Sequence, residues 1–492
     1  MSLSVGMSIA QSGLSVSADQ TAVVSRNIAN ANTPGASRKN ANVVSAPGGG
    51  VRLASITRVS NDALYRAMIA ATSVSSGQKA IVDALNTLDT TINDPELDAS
   101  PAALVQKLND ALQQYSEAPN SDVRARSAVA AAKALATGLN SATSTVQELR
   151  AQSDAGMADS VARINTLLSQ FETLNNQVIN GTRAGTDVTD YQDQRDQVLS
   201  SIAEEIGVRA VQRSNGDVAL YTDSGVTLFE TRARAVTFDQ TFSYTAGTTG
   251  NAVYVDGVPV TGSGANMAIG SGKLVGLATV RDKIAVTYQS QLDEVARGLV
   301  TAFAESDQSA TPTLPTIPGL FTYSGAPAMP ASGTVSPGLA GSISINASVD
   351  PDQGGDVNLL RDGAIGDPGN TAYVYNTSGG AAFSDRLQQL IGNMNAVQSF
   401  DTNAQAGGSA TLGNYASASV AWLQELRKSA GEEADYRDTV LQNASDSLSK
   451  ITGVNLDEEM THMLELERSY QASSKLISTI DSMFDALMAA TG

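Results

Sequence analysis

Residues 453–492 constrain the fold more than any other stretch, because their apolar side chains recur at alternating steps of three and four. Eight of the ten recurring positions are apolar. An α-helix turns once every 3.6 residues, so this spacing gathers the side chains into one narrow stripe, as in a coiled coil. The sequence therefore predicts a long C-terminal helix that needs a partner. The ten positions are Leu456, Glu459, Met463, Leu466, Tyr470, Ser473, Ile477, Ile480, Phe484 and Leu487.

The start of this helix is marked by residues that end one helix and begin another. Gly453 suits the left-handed conformation that terminates a preceding helix. Asn455 is a capping residue, and the acidic run 457–459 places negative charge at the positive end of the helix dipole. We therefore expect one helix to stop, and the terminal helix to begin, at about Gly453.

A matching stripe occupies residues 1–32, at the other end of the chain. Its nine positions are again separated by four and three residues, and only Ser17 and Thr21 interrupt the apolar set. Its side chains are smaller, and the segment carries so few charges that we expect burial on more than one side. The nine positions are Leu3, Met7, Ala10, Leu14, Ser17, Thr21, Val24, Ile28 and Ala31.

From these two stripes we predict that the ends of the chain pair and that this pair is the assembly interface. Helices of this length are marginal alone in water because their nucleation is costly. Burial of each large apolar side chain contributes roughly 1.5–3 kcal/mol, so the helices should become ordered on assembly. The predicted interface residues are Leu3, Met7, Leu14, Val24, Ile28, Leu456, Met463, Leu466, Tyr470, Ile477, Ile480, Phe484 and Leu487.

An alternative interpretation is that the two ends are ordinary surface helices of one globular domain. Hydrophobic periodicity identifies the apolar face of a helix but not the partner that covers it. The charges favour pairing, since most of the charged residues in 2–61 are basic and most of those in 454–492 are acidic. Exposed ion pairs contribute less than about 1 kcal/mol each, so we expect the apolar stripes to hold the ends together.

Composition argues against several classes of function. The chain has 492 residues, too many for one core, a formal net charge of -19 and no cysteine. That charge argues against nucleic acid or an anionic membrane surface as a partner. The sequence also lacks a signal-peptide pattern and an apolar run long enough to span a bilayer. Without cysteine, disulfides and thiolate metal sites are excluded.

The patterns between the two ends predict a mainly α fold with inserted β structure. Long helical patterns alternate with short runs that are typical of strands, separated by turn residues such as Asn215 and Gly216. The predicted domains are paired terminal coiled-coil helices forming an inner core domain, 1–35 and 453–492; a helical rod domain, 36–206, 271–306 and 381–452; a small β domain, 207–270; and a second irregular β-rich insert, 307–380.

Local signals add detail to this plan. Residues 36–60 are polar and are glycine-rich around residues 48–50, which is typical of an extended linker, and residues 51–59 within them have a strand pattern. A helix over 61–92 should stop at Asp94 and Pro95. A later helical region, 121–179, contains Gly156 as a candidate break, and residues 373–375 have a strand pattern.

The residue types needed for catalysis or metal binding do not converge. His462 is the one histidine, so a zinc site cannot be built from histidine and cysteine. Residues 270–273 lack the phosphate-loop spacing, and Leu274 stands where serine or threonine is required. The acidic turn at Asp350 resembles a calcium loop, but Arg361 replaces its closing glutamate. We therefore predict no enzymatic activity, no cofactor and no bound metal.

Four segments resemble proteins of the bacterial flagellum. Residues 27–35, Asn-Ile-Ala-Asn-Ala-Asn-Thr-Pro-Gly, resemble the N-terminal signature shared by rod, hook and hook-associated proteins, although Ala36 replaces the usual aromatic residue. Residues 453–472 resemble the matching C-terminal signature. Segments 190–196 and 272–293 are similar to segments of hook-associated proteins. The chain is thus identified as resembling the flagellar axial family.

This resemblance implies a structural subunit that joins the flagellar hook to the filament by polymerising through its ends. Its implied partners are further copies of itself, the hook protein, the second hook-filament junction protein, an export chaperone and the type III export apparatus. The implied location is extracellular. One alternative is another axial subunit, either hook protein or flagellin, and a second is a secreted adhesin or enzyme carried on flagellar export ends.

Overall fold

The computed structural model describes residues 3–92 and 99–491, most of which form helices. Several helices are long because apolar residues recur every three or four positions over many turns. The helices are α1 (Leu3–Asn30), α2 (Asp62–Ile92), α3 (Pro101–Glu117), α4 (Asp122–Ala184), α5 (Thr189–Glu205), α6 (Lys273–Thr279), α7 (Ala285–Ala302), α8 (Leu339–Ser342), α9 (Leu359–Asp362), α10 (Asp385–Asn395), α11 (Leu412–Thr452) and α12 (Leu456–Thr491).

The strands of the described residues are short and pair antiparallel in two- and three-stranded sheets. This combination of long helices and small inserted sheets confirms the predicted fold class. The strands are β1 (Lys39–Ser45), β2 (Val51–Arg58), β3 (Val208–Gln212), β4 (Val218–Thr222), β5 (Thr227–Phe229), β6 (Val236–Phe238), β7 (Val253–Val255), β8 (Val258–Pro259), β9 (Phe321–Thr322), β10 (Ser344–Ile345), β11 (Gln398–Ser399) and β12 (Ser409–Ala410).

The helical body is assembled around α4, which packs against α3, α5 and α7. Helices α2 and α11 form an antiparallel pair beside it: Gln78 Nε2 donates to the carbonyl oxygen of Ala430 at 2.9 Å, and Arg427 pairs with Asp89 at 3.3 Å. A large apolar core, which includes the fully buried Leu88, joins these helices to α10. The body therefore holds both the chain that leaves α1 and the chain that returns to α12.

Helix α4 runs without interruption for 63 residues, so the predicted break at Gly156 is wrong. The Ser121 side chain caps its first turn by accepting from the Arg124 N–H at 3.4 Å, and Gly185 ends it with a φ of 72°. At Gly156 an added Cβ would lie 3.1 Å from Leu277 Cδ1. The glycine therefore serves the close packing of α6 on α4 rather than a bend.

The strands between Val208 and Pro259 form two three-stranded sheets, β3–β4–β5 and β6–β7–β8. The turn joining β3 to β4 contains Asn215 and Gly216, with φ angles of 58° and 72°. Glycine and asparagine tolerate this left-handed conformation, as the sequence pattern predicts. Phe229 packs edge-on against Phe171 of α4, with ring centroids 5.2 Å apart, and so attaches the first sheet to the body.

Residues 307–380 contain far less strand than the sequence patterns indicate. Strands β9 and β10 pair over two residues each, and the strand predicted at 373–375 begins instead with a 3₁₀ turn. Here a buried carboxylate accepts backbone hydrogen bonds that a neighbouring strand would accept in a sheet. Glu305 accepts from the N–H groups of Ile365 and Gly366 at 3.1 and 2.8 Å. Because such bonds satisfy backbone donors, an irregular chain can pack in the interior.

Of the two predicted helix ends, the one near Gly453 can be compared with the structure. Asp94 and Pro95 lie outside the described residues. The boundary near Gly453 is confirmed, since α11 ends at Thr452 and α12 begins at Leu456. Gly453 has a φ of -72°, however, so the predicted left-handed conformation is wrong. A Cβ at this position would lie 2.5 Å from the carbonyl oxygen of Ser449, which explains glycine by close approach.

Candidate functional site

The terminal helices α1 and α12 lie antiparallel against each other in one register. Four contacts define it, from the free end of α1 to its base: Gly6 with Ile480, Gly13 with Ser473, Ser17 with Ser469, and Asn27 with Glu459. Between successive contacts the residue number rises along α1 by as much as it falls along α12. The register is therefore constant over about 21 residues of each helix, six helical turns. A Cβ at Gly13 would lie 3.4 Å from Ser473 Oγ, an ordinary van der Waals distance, so this glycine faces α12 directly.

The predicted interface residues are spread over the buried, half-buried and exposed parts of this pair. None of these placements tests whether the residues mediate assembly, so that role stays a prediction. Val24, Leu466 and Ile480 are buried; Leu3, Met7, Leu14, Ile28, Met463, Ile477 and Phe484 are half-buried; and Leu456, Tyr470 and Leu487 are exposed.

The strand pattern at residues 51–59 is confirmed by β2, but the segment is an antiparallel hairpin, β1–β2, rather than an extended linker. The hairpin covers a second side of α1. Ser12 Oγ accepts from the N–H of Val51 at 3.1 Å, and a Cβ at Gly49 would lie 3.4 Å from Ile9 Cδ1. A pattern of seven-residue repeats could not reveal this hairpin, because its side chains alternate over two short strands. Helix α1 is thus buried on two sides, in line with its low charge.

The side of α1 that faces α12 includes residues outside the predicted stripe. Gly6 and Gly13 face α12, whereas Met7 and Leu14 lie one residue further along the helix. Successive residues of a helix are about 100° apart, so Met7 and Leu14 lie on the flank turned away from the hairpin. Both side chains are half-buried. Part of the predicted stripe is therefore left on the surface of the pair.

Helix α12 exposes apolar side chains that α1 does not cover. An isolated exposed apolar residue is ordinary, but a series along one helix indicates a surface that packs against another molecule. Leu476 and Met483 are one heptad apart and are 56 % and 51 % exposed. Other large apolar side chains exposed on α12 are Met460, Leu464 and Met488.

A buried polar group, which we call the base cluster, joins α1 and α12 where they meet the hairpin. It consists of Asn27, Arg38, Lys39 and Glu459. Asn27 Nδ2 donates to Glu459 Oε2 at 3.0 Å and to the carbonyl oxygen of Lys39 at 2.9 Å. Asn27 Oδ1 accepts from the Lys39 N–H at 3.0 Å, and Arg38 Nε donates to Glu459 Oε1 at 2.7 Å. With Glu459 only 1 % exposed, this carboxylate is fully compensated by its partners.

The base cluster continues into helix α5. The Lys39 ammonium pairs with Asp190 and lies 3.5 Å from Asp193. Asp193 also accepts from Ser37 Oγ at 2.6 Å, and Arg58 bridges it to the neighbouring carboxylate. Helix α5 therefore attaches the hairpin, and through it the terminal helices, to the body of the protein.

The Arg58 bridge is strong enough to change the pKa of the guanidinium. Arg58 lies 3.0 Å from Asp193 and 2.7 Å from Asp196. Burial lowers the pKa of Arg58, but the two carboxylates outweigh burial and raise it above its ordinary value. The Arg58 guanidinium that joins β2 to α5 is therefore charged throughout the physiological pH range.

The sequence did not predict the base cluster, although its residues lie in or beside the segments that resemble flagellar proteins. Asn27 lies in the N-terminal signature, Glu459 in the C-terminal one, and Asp193 in the segment 190–196. The available signal was Glu459, a charged residue at a position of the apolar stripe. A single polar residue in such a stripe commonly specifies helix pairing, which is the role its contacts suggest here.

The residues considered for catalysis have structural partners. His462 Nδ1 lies 3.6 Å from Glu465, and Lys133 pairs with Asp350 at 3.0 Å in the acidic turn. Across residues 3–92 and 99–491, no three histidine or acidic side chains are grouped as a metal site would require. Over the same residues, no helix combines the length and apolar character needed to cross a membrane.

Comparison with known families places flagellar sequences along most of the chain. Residues 85–312 match the helical domain of the flagellar hook-associated protein FlgK. Residues 7–36 match the flagella basal body rod protein family, and residues 448–490 match the C-terminal family of flagellar basal body rod FlgEFG proteins. The two terminal matches thus fall on the helix pair and its base.

Individual relatives carry related names. Flagellar hook-associated protein 1 of Bacillus subtilis is 22 % identical over 530 aligned residues, covering 99 % of this chain and 98 % of the relative. The protein of the same name from Salmonella typhimurium is 24 % identical over 306 residues, covering 60 % of this chain and 55 % of that protein. A solved flagellar hook junction protein FlgK from Burkholderia pseudomallei is 20 % identical, with a TM-score of 0.41 over 54 % of this chain and 47 % of that one.

These matches agree with the geometry of the chain. A hook-associated helical domain occupies its middle, axial-protein segments occupy both ends, and one relative aligns over nearly its full length. The chain is therefore similar to flagellar hook-associated protein 1 over nearly its full length, and its middle and both ends match families of bacterial flagellar proteins.

Proposed function

We propose that this protein is a structural subunit that joins the flagellar hook to the filament, and that its copies polymerise through the paired terminal helices. One observation carries the proposal: α12, which lies in the axial-protein match at residues 448–490, has a face of apolar side chains that its own chain leaves exposed. Such a face is costly for a soluble monomer and is useful in a polymer.

Burial of the exposed apolar side chains of α12 would contribute enough free energy to drive assembly. Full burial of a side chain such as Leu476 or Met483 contributes roughly 1.5–3 kcal/mol, and several lie along one helix. In a closed ring or helical tube each subunit makes this contact twice, once with each neighbour. The hydrophobic contribution per subunit therefore exceeds what the surface ion pairs of the same helix supply.

The remaining partners follow from a position between hook and filament. The subunit contacts the hook protein on one side and the second hook-filament junction protein on the other, outside the cell. It reaches that place through the type III export apparatus, accompanied by an export chaperone that shields α12. Residues 1–35 and 453–492 form the inner core domain, the helical body forms the next layer, and residues 207–270 and 307–380 project outward.

The alternative functions have less support. A hook protein or flagellin would share the terminal segments, but the match over residues 85–312 is to a hook-associated helical domain. A secreted adhesin or enzyme would require a binding or catalytic group in residues 207–380. The carboxylates of that region, such as Glu305, instead accept hydrogen bonds from the backbone.

A charge placed on the exposed face of α12 tests this proposal. In a strain lacking its own copy of the gene, the double variant Leu476→Asp, Met483→Asp should be exported but not incorporated, because neighbouring subunits would bury two carboxylates. Electron microscopy should then show hooks without filaments, and flagellin should accumulate as monomers in the medium. The matched control Ser474→Asp, Ser482→Asp adds the same charge at exposed polar positions. Normal filaments on cells carrying the Leu476 and Met483 variant would refute the proposal.

A further inference from the structure

Few of the contacts between α1 and α12 favour the observed register of the two helices over a register shifted along the helix axis. At the free end the facing residues are small: Gly6, Gly13, Ser17 and Ser469 lie in or beside the contact. Apolar stripes that repeat every seven residues look similar after a shift of seven. A slip by one heptad would therefore bring small and apolar residues together again. Register must be specified by something else.

We propose that the base cluster specifies the register of the terminal helices and thereby selects the arrangement that can assemble. Glu459 is the residue that distinguishes one register from the next, because it is the buried charge in an otherwise small and apolar contact. In the observed register it accepts from Asn27 and from Arg38 at 3.0 and 2.7 Å. The consequence for assembly rests on the proposed function; the specification of register does not.

A slipped pair would lose both of these hydrogen bonds. Moved by seven residues, Glu459 would face Gln20 in one direction and residue 34, beyond the end of α1, in the other. The Asn27 amide would lose Glu459 as one of its two acceptors, while its two hydrogen bonds to the Lys39 backbone remain. A buried carboxylate without partners is strongly disfavoured, so slipped registers should be rare.

The same residues tie the register to the body of the protein. The Arg38 N–H donates to the carbonyl oxygen of Thr452 at 2.7 Å, at the junction between α11 and α12. Arg38 also pairs with Glu458 at 3.1 Å. A shift of α12 along α1 would therefore have to break contacts at its first turn. The base cluster fixes the position of α12 along α1. Its effect on the register can be measured in the isolated chain.

Disulfide formation between introduced cysteines measures this register directly, because the natural chain contains no cysteine. The pair Gly13→Cys, Ser473→Cys reports the observed register, since a Cβ at Gly13 lies 3.4 Å from Ser473 Oγ. The pairs Gly13→Cys, Ile480→Cys and Gly13→Cys, Leu466→Cys report slips of one heptad in the two directions. In the purified full-length monomer, the first pair should oxidise at least about tenfold faster than either of the others.

The decisive comparison replaces the buried polar pair by an apolar one. In the background Asn27→Leu, Glu459→Leu the three cysteine pairs should oxidise at rates within about threefold of each other, because slipped registers no longer bury a charge. The control background Ser17→Ala, Ser469→Ala removes a polar contact that carries no charge and should keep the tenfold preference. A preference retained in the leucine background would overturn the proposal, as would equal rates in the parent.

A milder variant keeps the test valid if the leucine background loses its helices. Arg38→Met removes one partner of Glu459 while leaving Asn27 in place, and the Arg38 side chain is partly exposed, so the fold should tolerate it. It should lower the preference for the observed register by at least about threefold. An unchanged preference in Arg38→Met would contradict the proposal. Filament assembly by the Leu476 and Met483 variant bears only on the function proposed above, so the two failures are distinguishable.

Discussion

Asp154 of α4 and Arg281, in the π-helical turn between α6 and α7, form an ion pair whose side chains are both fully buried. Asp154 also accepts from the Tyr244 hydroxyl at 2.7 Å and from the Thr241 N–H at 2.6 Å. The opposite side of the Arg281 guanidinium meets Asp282 at 2.8 Å. One carboxylate thus binds the segment after β6 to two helices of the body.

We predict that Asp154→Leu destabilises the protein by about 3–5 kcal/mol, because it leaves the Arg281 guanidinium buried with too few partners. Urea denaturation followed by circular dichroism would measure this loss. The control Asp256→Asn weakens the exposed pair between Arg234 and Asp256, 3.4 Å apart, and should cost less than about 1 kcal/mol. Equal effects of the two substitutions would show that the buried pair has no special weight.

The sequence predicted those parts of the fold that depend on local patterns. The strand that contains Val208 and the one that contains Val218 were expected from alternation, and the turn between them from Asn215 and Gly216. Ser100 caps α3 and Pro101 lies in its first turn, which are the positions that serine and proline favour at the start of a helix. In each case a few neighbouring residues determine the conformation.

Contacts between distant residues could not be predicted in this way. The base cluster unites Asn27 with Glu459, which are 432 positions apart, and next to it Arg58 pairs with Asp193 of a separate element. Periodicity shows that a side chain is buried but not which residue it meets. For the same reason periodicity did not identify Gly6 and Gly13, outside the predicted stripe, as residues that also face α12.

A second prediction concerns glycines of long helices, which the structure divides into two kinds. Where α2 crosses α6, Gly77 and Gly276 bring the two backbones together, and a Cβ at Gly77 would lie 2.8 Å from the carbonyl oxygen of Gly272. Gly276→Ala should therefore destabilise the protein by about 1–3 kcal/mol through overpacking. Gly431 of α11 has open space around it. Gly431→Ala should stabilise by about 0.5–1 kcal/mol, because alanine loses less backbone entropy in a helix.

Thermal unfolding of the two alanine variants under identical conditions measures both effects. The expected result is a lower midpoint for Gly276→Ala and a slightly higher one for Gly431→Ala. If both substitutions raised the midpoint, the backbones at the α2 and α6 crossing would have to separate at little cost.

A third prediction concerns the pH dependence of stability at Asp293 in α7. Burial raises the pKa of Asp293 to about 6, although its carboxylate accepts from the N–H groups of Gly338 and Ala340, both at 2.9 Å. The folded pKa thus lies above that of the unfolded chain, so this site stabilises the protein in acid and the stabilisation is lost as pH rises through 6. Between pH 5 and pH 7 the loss should be roughly 1 kcal/mol.

The variant Asp293→Asn isolates this effect because its side chain does not titrate. The free energy of unfolding of the natural protein minus that of the variant should fall by roughly 1 kcal/mol from pH 5 to pH 7. The exposed control Asp481→Asn should give nearly the same difference at both pH values. A difference for Asp293→Asn that rises with pH would mean that the carboxylate is stabilised in its ionised form.

The last prediction separates pairing within one chain from packing between chains. Ile477 and Phe484 are half-buried on the side of α12 nearest α1, beside Ile480. The double variant Ile477→Asp, Phe484→Asp would require two carboxylates to enter this contact, which is costly without partners. We expect the pair to open, incorporation at the junction and motility to be lost, and the helical body to stay folded.

Hydrogen exchange of the monomer shows which of the two contacts has been broken. In the Ile477 and Phe484 variant, amides of α1 and α12 should exchange faster than in the parent, while those of α4 and α7 keep their protection because their cores are untouched. In the Leu476 and Met483 variant exchange should be unchanged throughout, since those side chains are more than half exposed in the monomer. If the first variant left both exchange and motility unaltered, α1 and α12 could not be holding each other through these residues, and the helices would have to be ordered by contacts elsewhere.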